Sequence, residues 1–282
     1  MDVTIALQMA PQFGDMARMR KVWMEAEELG VDRLYTCDHF FAMIITTDVL
    51  TGAHAEVAPL AKNFEATTIQ AAMAATTTRP EIGCIVHSNN YRNPNLMADI
   101  ARTIDHISGG RFILGLGSGY LKADYDEYGY SYGTQASRLG DLARDLPIIK
   151  SRLGKLVPPP MRRIPFLIAS AGEKIGLRIV AEHADIWHVY GTRDTLVHKI
   201  QVLEQHCASI GRDPREIGFA TQYIPGQMSD ADPDEYLKLG FRHLNAVTTG
   251  PDWDLGVLRE LLQWRATLKK STKPGNPPAN SR

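Results

Sequence analysis

The chain has 282 residues, 44% of them hydrophobic and 22% charged, which is enough to bury a large core without help from a disulfide or a structural metal. Its formal net charge of −1 argues against a nucleic-acid surface or an anionic-membrane surface, because either needs a basic excess.

Strand-like and helix-like patterns then alternate along the chain. Residues 3–7 form a short β-type run. Residues 15–29 carry Met19, Val22, Trp23, Ala26 and Leu29 at helical spacing, and Gly30 ends that helix. Residues 31–37 read as the second strand, and 38–62 as a loop long enough to suggest function. A small-residue helix over 63–78 leads to the third strand, 82–87. Asn93-Pro94 then caps a helix with Met97, Ile100, Ala101, Ile104 and Ile107 on one face, stopped by Gly109-Gly110. The fourth strand, 111–116, runs into Gly115-Leu116-Gly117-Ser118-Gly119. Leu139, Leu142, Leu146, Ile149 and Leu153 mark the next helix, where Pro147 predicts a kink or a boundary. Strands follow at 165–169, 184–190, 217–223 and 243–248, with helices at 173–183, 195–210, 233–239 and 252–268. The Pro- and Asn-rich tail, 271–282, reads as disordered.

Eight βα units imply a parallel sheet, and that number favours a closed (β/α)8 TIM barrel, one domain over residues 1–270. No apolar stretch approaches the roughly 20 residues of a spanning helix. No basic-then-apolar leader precedes the first strand, so a cytoplasmic protein is expected. The three cysteines, Cys37, Cys84 and Cys207, are widely spaced. They fit neither a disulfide framework nor a CxxC metal site, and read as buried small hydrophobes.

Barrel chemistry sits on the loops that follow the strands, and four such segments stand out. After the second strand, His39 is a candidate proton donor or acceptor, and Asp38 a candidate to orient it or to contact a polar ring edge. After the third, the run from His87 to Pro94 is dense in hydrogen-bonding groups; Asn89 and Asn90 suit ring contacts, and Arg92 suits a structural anchor on a carboxylate. After the fourth, Gly117, Ser118 and Gly119 let backbone approach a ligand, although the spacing is not a dinucleotide fingerprint. After the fifth, Ser170, Ala171 and Gly172 open a helix and suit an anion, with Arg193 able to supply charge. Capping and solvation explain each of these features equally well in isolation.

In order, these segments resemble the luciferase-like monooxygenase superfamily. The resemblance is carried by YRNPNLMADIARTIDHISGGRFILGLGSGYLKADYDEYGY over residues 91–130, by Asp38-His39, and by the ADIW run around residues 168–187. The GGRFILGLGSG piece is its most specific part. Within the superfamily the chain is similar to the branch that uses coenzyme F420, a deazaflavin that transfers hydride only. That resemblance implies a ring over a bulge in the third strand with a non-proline cis peptide, best matched by Ile85-Val86. It implies Gly117, Ser118 and Gly119 along the ring, Ala171 and Gly172 at the phosphate with Arg193 in support, His39 as the active-site histidine with Tyr120 as a weaker catalytic candidate, and a homodimer.

Departures from the branch's sugar-phosphate dehydrogenase are Tyr120, Met43 and Ala123, where that enzyme has an acid, a tryptophan and an asparagine. Another small organic substrate is therefore expected, in a pocket made more apolar by Phe40, Phe41, Met43, Ile44 and Ile45. The alternatives are an FMN-dependent monooxygenase fed by a separate reductase, and a barrel that binds a cofactor without turnover.

Overall fold

The protein is described by a computed structural model covering residues 3–45, 55–223, 225 and 233–271. The chain builds β1 (Thr4–Ala10), α1 (Met16–Leu29), β2 (Arg33–Thr36), β3 (Ala42–Ile45), β4 (Ala55–Ala58), α2 (Ala66–Thr76), β5 (Glu81–Cys84), β6 (His87–Ser88) and α3 (Pro94–Ser108). It continues through β7 (Leu114–Gly117), α4 (Lys122–Glu127), α5 (Gln135–Leu153), β8 (Phe166–Ala169), α6 (Gly176–His183), β9 (Ile186–His188) and α7 (Arg193–Ser209). It ends with β10 (Gly218–Tyr223), α8 (Pro233–Lys238), β11 (His243–Thr249) and α9 (Gly256–Ser271). The tail beyond residue 271 and the centre of the long loop, 46–54, lie outside the described residues.

The main sheet has nine strands in the order β5-β2-β1-β11-β10-β9-β8-β7-β6, all parallel. β5 and β6 are two halves of the expected third strand, separated at Ile85-Val86, whose peptide is cis as the resemblance implied. A bridge from Ile82 to Phe112 and the pairing of β6 with β7 complete the ring. The architecture is the single-domain (β/α)8 barrel read from the sequence.

Local signals placed most helices. Asp15 caps α1 by accepting from the Arg18 N–H, and Asn93 with Pro94 opens α3. Gly109 ends α3 with φ of 69°, a conformation that a side chain would strain. Two expectations are corrected. Pro147 does not mark a boundary, since α5 runs on from Gln135 to Leu153 and buries Leu142, Leu146 and Ile149 on both sides of it. The loop 38–62 is not wholly irregular, since β3 and β4 pair antiparallel within it.

Register sets the layering of the interior. In an eight-stranded barrel with shear of eight, each strand is staggered by one residue, so side chains at one height come from alternate strands. Carrying the pairings round the sheet gives a lowest layer of Arg33, Ile113, Ile186 and His243, then Ala6, Gly83, Leu167 and Ala220. Above these lie Tyr35, Gly115, His188 and Asn245, and then Gln8, Ile85, Ala169 and Gln222. Hydrogen bonds within layers agree: Arg33 Nη1 lies 2.9 Å from His243 Nδ1, and Gln222 Nε2 donates to Gln8 Oε1 at 2.9 Å. The larger apolar core lies outside the barrel, where Ile5, Leu7, Leu34, Leu114, Ile168 and Leu244 meet the helices.

Candidate active site at the barrel mouth

Asp38 and His39 leave β2 as neighbours in sequence, and their side chains take different partners. Asp38 is buried, accepts from both Nη atoms of Arg92 at 2.6 and 2.9 Å, and accepts from the Ser88 N–H at 3.2 Å. His87 Nδ1 stands 3.4 Å from the same carboxylate. Burial alone would raise the Asp38 carboxyl, but His87 and Arg92 outweigh it and hold the group well below the usual carboxylate range. Arg92 also reaches Glu65, so it is the anchor the sequence suggested. Asp38 therefore does not orient His39.

Asp124 does. His39 Nδ1 lies 2.9 Å from Asp124 Oδ2. Asp124 is fully buried, and its Oδ1 accepts from the Phe40 N–H at 3.0 Å while its Oδ2 accepts from the Tyr91 hydroxyl at 2.8 Å. An ionised carboxylate only accepts, so Nδ1 of a neutral His39 carries the proton and Nε2 is left as the acceptor. Nε2 faces Tyr120 Oη at 3.5 Å, with the two rings edge to face at a centroid distance of 5.4 Å. Asn63 Nδ2 fixes the His39 carbonyl at 2.6 Å. Tyr120 is half-exposed as a residue, but its hydroxyl turns inward. Desolvation there, with Cys37, Tyr190 and Asp124 nearby, pushes the phenol upward and keeps it protonated. Cys37 is pushed up to about 12 by burial and then by Asp38 and Asp124, which leaves it a thiol and not a nucleophile. All three cysteines are free and buried, as read from the sequence.

The glycine run is explained by close approach. A Cβ on Gly115 would stand 1.8 Å from the Cys84 carbonyl oxygen, and one on Gly117 would stand 2.6 Å from Val86 Cγ2. These glycines let β7 close against the divided third strand, a packing role that sequence could not separate from a ligand role. Arg138 fixes the next turn, donating Nε to the Gly119 carbonyl at 3.0 Å and Nη1 to that of Tyr132. Tyr125 Oη donates to the Ser118 carbonyl at 3.3 Å.

Other candidates are more dispersed. Asn89 turns its amide to Asp145 of α5 at 2.8 Å, and Asn90 turns its own to Asp141. Ala171 and Gly172 follow β8, but the helix opens at Gly176 rather than at residue 173. The intervening turn is tied to α7 through Glu173, which meets Lys199 and, at 3.1 Å, His198. Arg193 is the first residue of α7, half-exposed, with Nε 3.7 Å from Glu235.

Gln12 supports the mouth. Its Oε1 accepts from the Met43 N–H at 2.9 Å, and its Nε2 donates to the Met43 carbonyl and to Thr249 Oγ1, both at 3.3 Å. The hairpin is thus held against the ends of β1 and β11. Sequence reading missed Asp124, Gln12 and Arg138. Only Asp124 carried a signal, its place in the acidic-aromatic stretch after the glycine run.

Among the described residues no helix is long and apolar enough to cross a membrane. Among curated relatives, the pyrimidine monooxygenase RutA of Klebsiella pneumoniae is 26% identical over 238 residues, covering 76% of this chain and 61% of the relative. A phthiodiolone/phenolphthiodiolone dimycocerosates ketoreductase of Mycobacterium tuberculosis is 24% identical over 215 residues, covering 68% of this chain and 56% of the relative. The chain thus spans about three fifths of the length of the curated relatives it matches. An F420-dependent secondary alcohol dehydrogenase, solved with an F420-acetone adduct, shares the fold with TM-score 0.71 at 15% identity, over 92% of this chain and 98% of that one. The monooxygenase RslO1 from Streptomyces bottropensis does so with TM-score 0.67 at 13% identity, over 95% and 100%. The luciferase-like monooxygenase profile matches residues 4–238, most of the chain, so this protein belongs to the luciferase-like monooxygenase family.

Proposed function

We propose that the chain is an oxidoreductase that holds coenzyme F420 at the barrel mouth and exchanges a hydride with a small organic substrate other than a sugar phosphate. The observation that carries this reading is the line Asp124–His39–Tyr120, which presents a carboxylate-oriented imidazole and a phenol beside the glycine-rich end of β7. When bound, the deazaflavin supplies the hydride chemistry. The chain's own residues supply the rest. Asp124 sets the His39 tautomer, His39 Nε2 holds or releases a proton, and Tyr120 Oη extends that proton position toward the opening.

The residues present fit a flat ring. Gly117, Ser118 and Gly119 offer backbone at the rim, and Ile85 and Val86 form the wall against which β7 closes. In this reading Asp38 holds that wall through the Ser88 N–H, Asn89 borders it, and Ala171 and Gly172 receive the phosphate with Arg193 in support. Met43, Ile44, Tyr120 and Tyr190 make the opening apolar and aromatic, which suits an uncharged substrate.

A second reading, an FMN-dependent monooxygenase, is favoured by the match to pyrimidine monooxygenases. Titrating the protein with coenzyme F420 and with FMN, followed by absorbance and fluorescence, separates the two. Tighter binding of the deazaflavin by tenfold or more supports the first reading. FMN binding alone, with substrate-dependent oxygen consumption, supports the second, and binding of neither removes both.

A further inference from the structure

The end of the barrel opposite the mouth carries a lysine beside a base. Lys150 lies in the last turn of α5, and its Nζ stands 3.2 Å from Nδ1 of His183, the last residue of α6. Lys150 is exposed as a residue, while its amine rests over the Phe166 ring at 5.2 Å from the centroid, which fixes its place. We propose that Lys150 is a site of self-acylation that takes the acyl group of a small acyl phosphate, with His183 as the base. The site lies away from the mouth and does not rest on the cofactor reading.

The partner of the amine is the first support. Three other lysines are held by carboxylates: Lys122 by Asp126, Lys199 by Glu173 and Lys238 by Glu235. A carboxylate favours the charged amine, which has no lone pair to attack with. Lys150 meets an imidazole nitrogen instead. An ammonium only donates, so Nδ1 of a neutral His183 is the acceptor and Nε2 carries the proton. Nε2 faces Glu182 Oε2 at 3.8 Å, which favours that tautomer. Carboxylate, imidazole and amine thus follow one another in the order that orients a base toward a nucleophile.

Charge is the second. Burial lowers the Lys150 ammonium; Asp185 opposes this, and Arg163 and Arg212 add to it. His183 is lowered by burial, then by Lys150 and Arg212, so its ring is neutral at physiological pH and free to take a proton. Arg212 spends both Nη atoms on the carbonyls of Ala181 and Ala184 at 2.7 Å, and Glu216 meets it only at 3.4 Å. Its positive charge beside that of Lys150 draws an anionic donor to this corner.

In the step, the lone pair of the neutral Lys150 amine forms a bond to the acyl carbon. The bond from that carbon to the phosphate oxygen breaks, and inorganic phosphate leaves with the electron pair. The proton shed by the nitrogen passes to His183 Nδ1 and then to water. The product is an amide on Lys150, with no change of oxidation state.

The test incubates the full chain with acetyl phosphate and follows each lysine by peptide mass spectrometry. Lys150 should be acetylated at least about fivefold faster than Lys122, which is ion-paired, and than Lys155, which is exposed nearby in the chain. His183→Gln keeps an acceptor beside the amine but supplies no base near neutral pH. It should bring Lys150 to within about twofold of Lys155. With N-acetoxysuccinimide, a neutral donor of the same acyl group, the lead of Lys150 should shrink by about half or more. That comparison uses the parent chain and serves if the variant fails to fold. Acetylation of Lys150 no faster than that of Lys155 overturns the proposal, as does an unchanged rate in the folded variant. An equal lead with both donors overturns the assignment of an acyl phosphate.

Discussion

The lowest interior layer and the two upper ones each carry buried polar side chains, but these are treated in opposite ways. Below, Arg33 is closed by Glu81 and His243, and Arg162 adds a second partner to Glu81. Above, Asn245 and His188 keep polar atoms without partners, and His39 keeps one ring nitrogen turned to the mouth. The same division runs through the mouth itself, where Asp38 is saturated by Arg92 while Asp124 acts on a histidine that faces outward. Saturated groups hold the scaffold, whereas the nitrogen that His39 keeps open is available to a ligand.

The largest effect should come from opening a saturated pair. Arg92→Met leaves the Asp38 carboxylate buried without its main partner and should cost about 3–5 kcal/mol of stability, read by denaturant unfolding. A loss below about 1 kcal/mol would place Asp38 among the groups that tolerate exposure. Next, His39→Ala should lower turnover at least about tenfold to a hundredfold, and Asp124→Asn should do the same with a displaced pH–rate profile. Cofactor affinity should stay nearly unchanged in both, and unchanged turnover would remove the pair from the chemistry.

Acid comes third. Burial, and for His243 also Arg33, lowers the two interior histidines, His188 to about 4 and His243 to about 3. In the unfolded chain each takes a proton near pH 6.5. Their contribution is therefore complete above that pH. As pH falls toward 4, stability should drop by about 1.4 kcal/mol per pH unit for each histidine. His243→Gln should make the slope shallower, which urea titrations at several pH values measure. The smallest effect belongs to Asn245→Leu, which removes two unpaired atoms and should leave stability within about 1 kcal/mol of the parent. A large loss there would mean that Asn245 is structural.

Much of the fold was legible because it is written locally. Asn93-Pro94, Gly109 and the spaced leucines of α5 carry their own instructions, and the alternation of strands and helices gave the barrel. The hairpin β3–β4 was not legible, since two four-residue strands with nine residues between them in sequence show no tight-turn signature. At the site, His39 and Tyr120 were read and are together. Asp38, adjacent in sequence, was read as able to orient His39 or to contact a polar ring edge, and the first of these does not hold. The real partner is 85 residues away, and such a pairing leaves no trace in composition or period. In sequence the glycines of β7 read equally as a turn or as backbone open to a ligand, while their tightest constraint is the carbonyl of Cys84.

The pairing of β1 with β11 runs through seven residues, from Thr4 with His243 to Ala10 with Thr249. The family match ends at residue 238, before β11 begins. A chain cut there would leave both β1 and β10 with bare edges and would delete Asn245 along with half of the seam. Such edges invite pairing with other chains. A truncation at residue 238 should therefore aggregate, because the stretch it removes carries the strand that shuts the ring.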